Sequence, residues 1–427
     1  MKNLLLSAAA GLLLFTACND NDEIPPALQE KSFTVTIENI QTPKPFFLNG
    51  ATDAAGPGGS YSYTFDAGKG AYLSFATMFV QSNDLFYGFE EKGLALYDTD
   101  GNPVTGDVTS DIKLWDAGTE VNQEPGSGAD QAPRQSGANT GAAENSTVKL
   151  ISEVNDGFSY PATNEVIKVM LAHNGGTQFT VTLNNVSNAH SFQTPVAPGV
   201  WVVHYGGKPI FTKDQAAANG LEGLAEDGAT DGINTYLTEN SGFVTPFAPG
   251  VFVAHQTGYP IFENNKVTTA NGLEALAEDG NPGTLNTALK AIAGIKYGVF
   301  NTPKDASSPA PIFPNESYQF SFTATQADKL NLATMLVQSN DLFLAFDDTG
   351  IALFQNGQPI SGDITSHLKL WDAGTEVNEY PGAGNNQAPR QGAANTGTSE
   401  QQAVKVVNDG FTYPAIDKLV RVTITSN

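Results

Sequence analysis

FATMFVQSNDLF (residues 75–86) and KLWDAGTEVN (113–122) return as LATMLVQSNDLF (332–343) and KLWDAGTEVN (369–378), so the chain states one pattern twice. In each copy an Asp of an SND tripeptide precedes a WDAGTE segment by a similar interval. Three carboxylates therefore recur as a set, Asp84, Asp116 and Glu120, then Asp341, Asp372 and Glu376. Carboxylate oxygens grouped in this way outline a hard-cation site built twice.

Working outward, LALYDTDGNPV and IALFQNGQPI flank tight turns at Asp100-Gly101 and Asn356-Gly357, and the one-residue difference in length falls at that turn. Asp-Gly and Asn-Gly suit the positive φ angles of a hairpin, which supports strand-turn-strand. Alternation in SFTVTIENI (32–40) marks a first strand, and TQFTVTLNNVS (177–187) has the same build. The closing segments match as well, DGFSYPATNEVIKVMLAH (156–173) with DGFTYPAIDKLVRVTITS (409–426). The expected organisation is a first unit at 32–175 and a second at 176–427.

The second unit is longer because about 191–296 holds a smaller repeat: APGVWVVHYGGKPIF with NGLEGLAEDG, echoed by APGVFVAHQTGYPIF with NGLEALAEDG. Each reads as a strand, a turn, a second short strand and a helix that buries Leu221/Leu224 or Leu273/Leu276 and stops near Gly228 or Gly280. On this reading the first unit lacks the hairpin-helix segment and is a trimmed form that leans on its neighbour.

A chain of 427 residues exceeds one ordinary core. With 43 Gly, 24 Pro, 25 Phe and 13 Tyr against 15% charged residues, it reads as mainly β. Residues 1–18 carry Lys2, an apolar stretch from Leu4 to Phe15 and small residues before Cys18, the layout of an export signal. The stretch before Cys18 resembles a bacterial lipobox, which implies cleavage there and lipidation of that cysteine. Residues 19–31, beginning NDNDEIPPALQE, read as a flexible tether, and their acidic start resembles surface-export signals of outer-membrane lipoproteins. With one cysteine, no intramolecular disulfide forms.

Formal charge is −24, which disfavours nucleic acid and bare anionic membrane as partners and favours divalent cations. Calcium takes six to eight oxygens, and two acids four residues apart with Ala and Gly between them wrap part of such a shell. Zinc would call for Cys or His, absent near both sets. The competing reading is a β-turn whose Asp caps backbone N–H groups, with Trp115 or Trp371 packed in the core and nothing bound. His204 and His255 occupy matching places after apolar strands, with Glu222 and Glu274 the nearest repeated acids. His173, His190 and His367 have no repeated counterpart. Arg134 and Arg390, in the Gly/Pro/Asn-rich QAPRQ loops at 131–141 and 387–397, either grip an acidic ligand or pair with a neighbouring Asp. No Gly-x-Ser-x-Gly, His-Glu-x-x-His or phosphate loop is present.

FATMFVQSNDLF, GDVTSDIKLWDAGTE and DGFSYPATNEVIKVML, with their second copies, resemble the spondin domain, the amino-terminal module of F-spondin and mindin, in its bacterial versions. The resemblance covers nearly all of the mature chain as two copies. It implies tandem antiparallel β-sandwiches and a calcium site made by an Asp of a Ser-Pro-Asp-Trp segment and both acids of an Asp-Ala-Gly-Thr-Asp segment. By position these are Asp84, Asp116 and Glu120, and Asp341, Asp372 and Glu376. The chain departs from that pattern in having Glu as third acid, Asn83 and Leu85 around the first Asp, and no disulfides. The expected function is a lipid-anchored, calcium-binding surface module that adheres to an extracellular glycan or protein. A structural envelope lipoprotein with stabilising calcium, and a hydrolase using the carboxylates, are the alternatives.

Overall fold

In a computed structural model, residues 30–268 and 270–427 are described; the leader, Cys18 and the tether through residue 29 lie outside them. The chain is mainly β, in antiparallel sheets, with short helices packed against them. No helix among the described residues is long and apolar enough to cross a membrane.

Two halves of the same design are present, each a stack of two sheets. In the first, a four-stranded sheet runs Ser60–Asp66, Gln178–Asn185, Ile167–Gly175, Gly106–Asp107. It faces a larger sheet ordered Leu48–Ala51, Val196–His204, Tyr72–Phe79, Leu85–Gly88, Lys113–Asp116, Lys149–Leu150. The second half repeats this, with Ser317–Ala324, Lys31–Asn39, Val420–Ser426 and Gly362–Asp363 against a larger sheet. That sheet runs Lys296–Phe300, Phe247–His255, Lys329–Leu336, Leu342–Ala345, Lys369–Asp372, Lys405–Val406. Alternation in the small-sheet strands puts one face inward: Phe33, Val35 and Ile37 are buried while Thr34 and Thr36 are not. Aromatic side chains fill the space between sheets, including Phe252 stacked on Phe320 at 4.3 Å and Tyr63 on Trp201 at 5.3 Å.

The domain boundaries differ from those expected. Lys31–Asn39 pairs with Ser317–Ala324 and Val420–Ser426, so the chain's first strand belongs to the half built from its end. Gln178–Asn185 pairs with Ser60–Asp66 and Ile167–Gly175, so it closes the first half rather than opening the second. Each half also has its own hairpin-helix segment, because Val196–His204 pairs with Tyr72–Phe79 and Phe247–His255 with Lys329–Leu336. The first half is therefore not trimmed. A strand's alternation encodes which face is buried but not which partner it meets, and the two strands FTVTIEN and FTVTLNN occupy equivalent places.

The first half is thus inserted into the second. Where the chain crosses, Gln41 and Thr245 are joined by Gln41 Nε2 to Thr245 O at 2.7 Å and Thr245 N to Gln41 Oε1 at 3.0 Å, and Phe46 bridges Ser241. The ends of the inserted half lie side by side there, which is what lets one fold sit within a loop of another. A loop of the second half also docks onto the first: Ala383 joins the first half's core, Tyr205 donates to Gly382 O at 3.2 Å, and Lys69 N donates to Asn385 Oδ1 at 2.7 Å.

The hairpin-helix segments hold two helices each, Leu221–Asp227 with Asp231–Asn240 and Leu273–Asp279 with Gly283–Lys290. The expected second short strand is absent; KPIF and YPIF instead run as irregular chain that buries Ile210/Phe211 and Ile261/Phe262. The helices stop at Gly228 and Gly280, whose φ angles of 66° and 64° need glycine. Leu221 and Leu224 are fully buried against Trp115 and Phe86 in a second core on the outer face of the large sheet.

Candidate metal centre

At one end of each large sheet, the SND turn and the WDAGTE loop come together. Asp84 lies in the turn before Leu85–Gly88, and the register Leu85 to Asp116 brings the end of Lys113–Asp116 beside it. Ser82 Oγ accepts from Leu85 N at 3.2 Å and donates to Phe79 O at 2.5 Å, fixing the turn. Trp115 is wholly buried, with Phe211 at 4.6 Å, and anchors the strand beneath the loop. Beyond Asp116 the chain turns at Gly118, φ 69°, so closely that a Cβ there would lie 2.7 Å from Thr147 N.

Asp84 is fully buried. Its Oδ2 accepts from Thr119 N at 2.7 Å, Glu120 N at 3.1 Å and Thr119 Oγ1 at 3.2 Å, whereas its Oδ1 has no hydrogen-bond partner. Asp116 accepts from Gly118 N at 2.7 Å and from Asn122 Nδ2 at 2.6 Å. The third acid is Glu144: carboxylate oxygens of Asp84, Asp116 and Glu144 lie within 4.8 Å of one another. Asp156, tied to the Tyr160 hydroxyl at 2.6 Å, adds charge at the edge.

The second half repeats the inner pair. Asp341 Oδ2 accepts from Thr375 N at 2.7 Å and Glu376 N at 3.1 Å, and its Oδ1 again lacks a partner. Asp372 accepts from Gly374 N at 2.7 Å, and burial and then the nearby Asp372 raise Glu400, the counterpart of Glu144. Asp409, held by Tyr413 at 2.8 Å, stands in for Asp156. Lys405 also acts on Asp372, and the three acids do not close to the same separation as in the first half.

Glu120 and Glu376 are corrections to the expected ligand set. The WDAGTE loop turns them away from the aspartates: Glu120 Oε1 accepts from Gly141 N at 2.7 Å and Oε2 from Asn83 Nδ2 at 3.3 Å, and Glu376 accepts from Gly397 N at 2.9 Å. Glu144 and Glu400 were missed although NTGAAE (139–144) and NTGTSE (395–400) repeat the acid at one spacing. The bridges Glu120 to Ala143 and Glu376 to Ser399 carry them to the site, a pairing that spacing along the chain does not encode.

Burial dominates the electrostatics. Asp84 is pushed up to about 8 by desolvation and then by Asp116, and Asp116 to about 6 by desolvation, with Glu144 and Asp156 adding to it. Asp341 rises to about 7 by desolvation and then Asp372. Carboxylates so placed hold either a proton or a cation. The donors are all hard oxygens and Asp84 and Asp341 each present an unused lone-pair oxygen, so the residues fit calcium or a similar ion.

The other candidates are structural. His204 is buried, bonding Ser74 Oγ at 3.0 Å and Gly206 O at 2.7 Å, and His255 bonds Thr257 O at 3.2 Å; burial lowers both. Among the described residues, neither Arg134 nor Arg390 pairs with an Asp. Arg134 donates to Gly128 O at 2.8 Å, and Arg390, over the Tyr205 ring, donates to Gly384 O at 2.7 Å. The QAPRQ loops have a buried centre, as Gln131 and Gln387 are fully enclosed and satisfy loop carbonyls.

No family model matches the chain, and no curated protein matches it either.

Proposed function

We propose that this is an exported, lipid-anchored surface protein built from two spondin-like β-sandwiches, in which calcium bound at each carboxylate cluster stiffens the end loops that meet an extracellular glycan or protein. The observation that carries the metal part is the orphaned Oδ1 of Asp84, buried beside Asp116 and Glu144 and repeated at Asp341. An unpaired buried carboxylate oxygen is costly, and a cation removes that cost. The leader ending at Cys18 supports anchoring, and the net charge of −24 supports cations over nucleic acid as partners. Calcium titration by calorimetry on chelator-treated protein tests this. The D84N/D341N variant is expected to lose the cluster sites while keeping its fold, and an unchanged titration overturns the assignment. A calcium-dependent hit on a glycan or protein array separates adhesion from calcium that serves stability alone.

A further inference from the structure

The acids turned away from the aspartates lead to a different place. Behind Glu120 stands Glu226, on the helix Leu221–Asp227; it is 3% exposed, and its Oε2 has no hydrogen-bond partner. Glu226 lines a cavity of about 270 Å³ whose rim carries Glu222, Asp227 and Asn139. In the second half Glu278 is 2% exposed, its Oε2 is likewise unpartnered, and it lines a cavity of about 240 Å³ rimmed by Glu274, Asp279 and Asn395. Among the described residues, no Lys or Arg lines either cavity.

The walls are organised around these carboxylates. Asn139 Nδ2 donates to Glu222 at 3.2 Å and Gln135 Nε2 to Asp227 at 2.7 Å, with Asn395 to Glu274 at 3.1 Å and Gln391 to Asp279 at 3.0 Å in the second half. The closing loop passes so near that a Cβ at Gly141 would lie 2.1 Å from Glu120 Oε2, and one at Gly397 2.2 Å from Glu376 Oε2. Amide side chains hold the rim acids in place but neutralise none of their charge. Each cavity is thus an open hollow lined by three acids with no Lys or Arg among its described lining residues, and one of the three is desolvated with an unpartnered oxygen.

We infer that each half carries a second divalent-cation site, at the junction of the hairpin-helix segment and the loop 139–141 or 395–397, with Glu226 or Glu278 as the direct ligand. The rim acids reach the ion through water, for which a cavity of 240–270 Å³ leaves room. A hard cation that keeps part of its hydration shell is the class that such a site takes. This site shares no acid with the aspartate clusters, although Thr119 and Thr375 lie between Glu226 or Glu278 and the aspartates, so the variants are read by the number of ions each retains.

Equilibrium dialysis of the full chain against radiolabelled calcium chloride counts the ions. About four per chain are expected in the native protein, and about two in each of E226Q/E278Q and D84N/D341N. If E226Q/E278Q binds as the native protein does, or if D84N/D341N binds none, the second site is overturned. Should D84N/D341N leave binding intact while E226Q/E278Q lowers it, the aspartate-cluster reading fails and this one stands. If E226Q/E278Q does not fold by circular dichroism, the rim variant E222Q/D227N/E274Q/D279N decides: calcium affinity of one class falls about tenfold, or the inference is wrong.

Discussion

Asp84 and Asp341 are the residues on which the metal reading turns, and their protonation carries a measurable signature. Because the native carboxyls hold their protons more tightly than the unfolded chain does, the folded state binds more protons between about pH 4 and about 8. Stability of the calcium-free protein therefore falls as pH rises through that window. The melting temperature without calcium is expected to drop from pH 5 to pH 8, and added calcium to raise it more at pH 8 than at pH 5. A melting temperature that is flat with pH and indifferent to calcium would remove the ion from these groups. Replacing Glu144 by Gln is expected to weaken the first cluster about tenfold, close to 1.4 kcal/mol, by calorimetry. The aspartates were legible because SND and WDAGTE repeat outright. Glu144 was hidden because its approach depends on a bridge between Glu120 and Ala143 that joins distant chain.

Among the elements, the WDAGTE loop is the most constrained. Gly118 sits at positive φ with Thr147 N behind it, so Gly118→Ala adds both backbone strain and a clash. A loss of about 1–3 kcal/mol in urea unfolding is expected, and a neutral substitution would show that the loop is not held as described. Local elements were well marked in the sequence where a residue type has one conformational use. The helix stops at Gly228 and Gly280 and the Asn356-Gly357 hairpin, with φ angles of 53° and 77°, are as expected. The second helix of each hairpin-helix segment was not foreseen, since Asp231–Asn240 and Gly283–Lys290 are polar on most of their surface and bury only two residues each, Ile233 and Leu237, or Leu285 and Leu289.

For the whole molecule, the two halves share one cyclic order of elements, cut at different points. In the first half a hairpin joins Ile167–Gly175 to Gln178–Asn185. The corresponding strands of the second half, Val420–Ser426 and Lys31–Asn39, are the two ends of the described chain, with Asn427 N donating to Ser32 O at 2.9 Å. A fragment of residues 42–240 is expected to melt cooperatively alone. A fragment of 242–427 lacks an inner strand and is expected to fold only when residues 31–39 are appended after Asn427 through a tight turn. Equal folding of 242–427 with and without that strand, by circular dichroism, would refute the nested arrangement. This order escaped the linear repeat because a repeat read along the chain fixes neither where a cycle begins nor which sheet a strand enters. It also bears on biosynthesis. Lys31–Asn39 is made before both of its partners, so one edge stays bare until residues 317–324 have been made and the other until residues 420–426 have. Whatever escorts the nascent polypeptide must shield that segment until those partners emerge, and earlier release would favour pairing between neighbouring molecules.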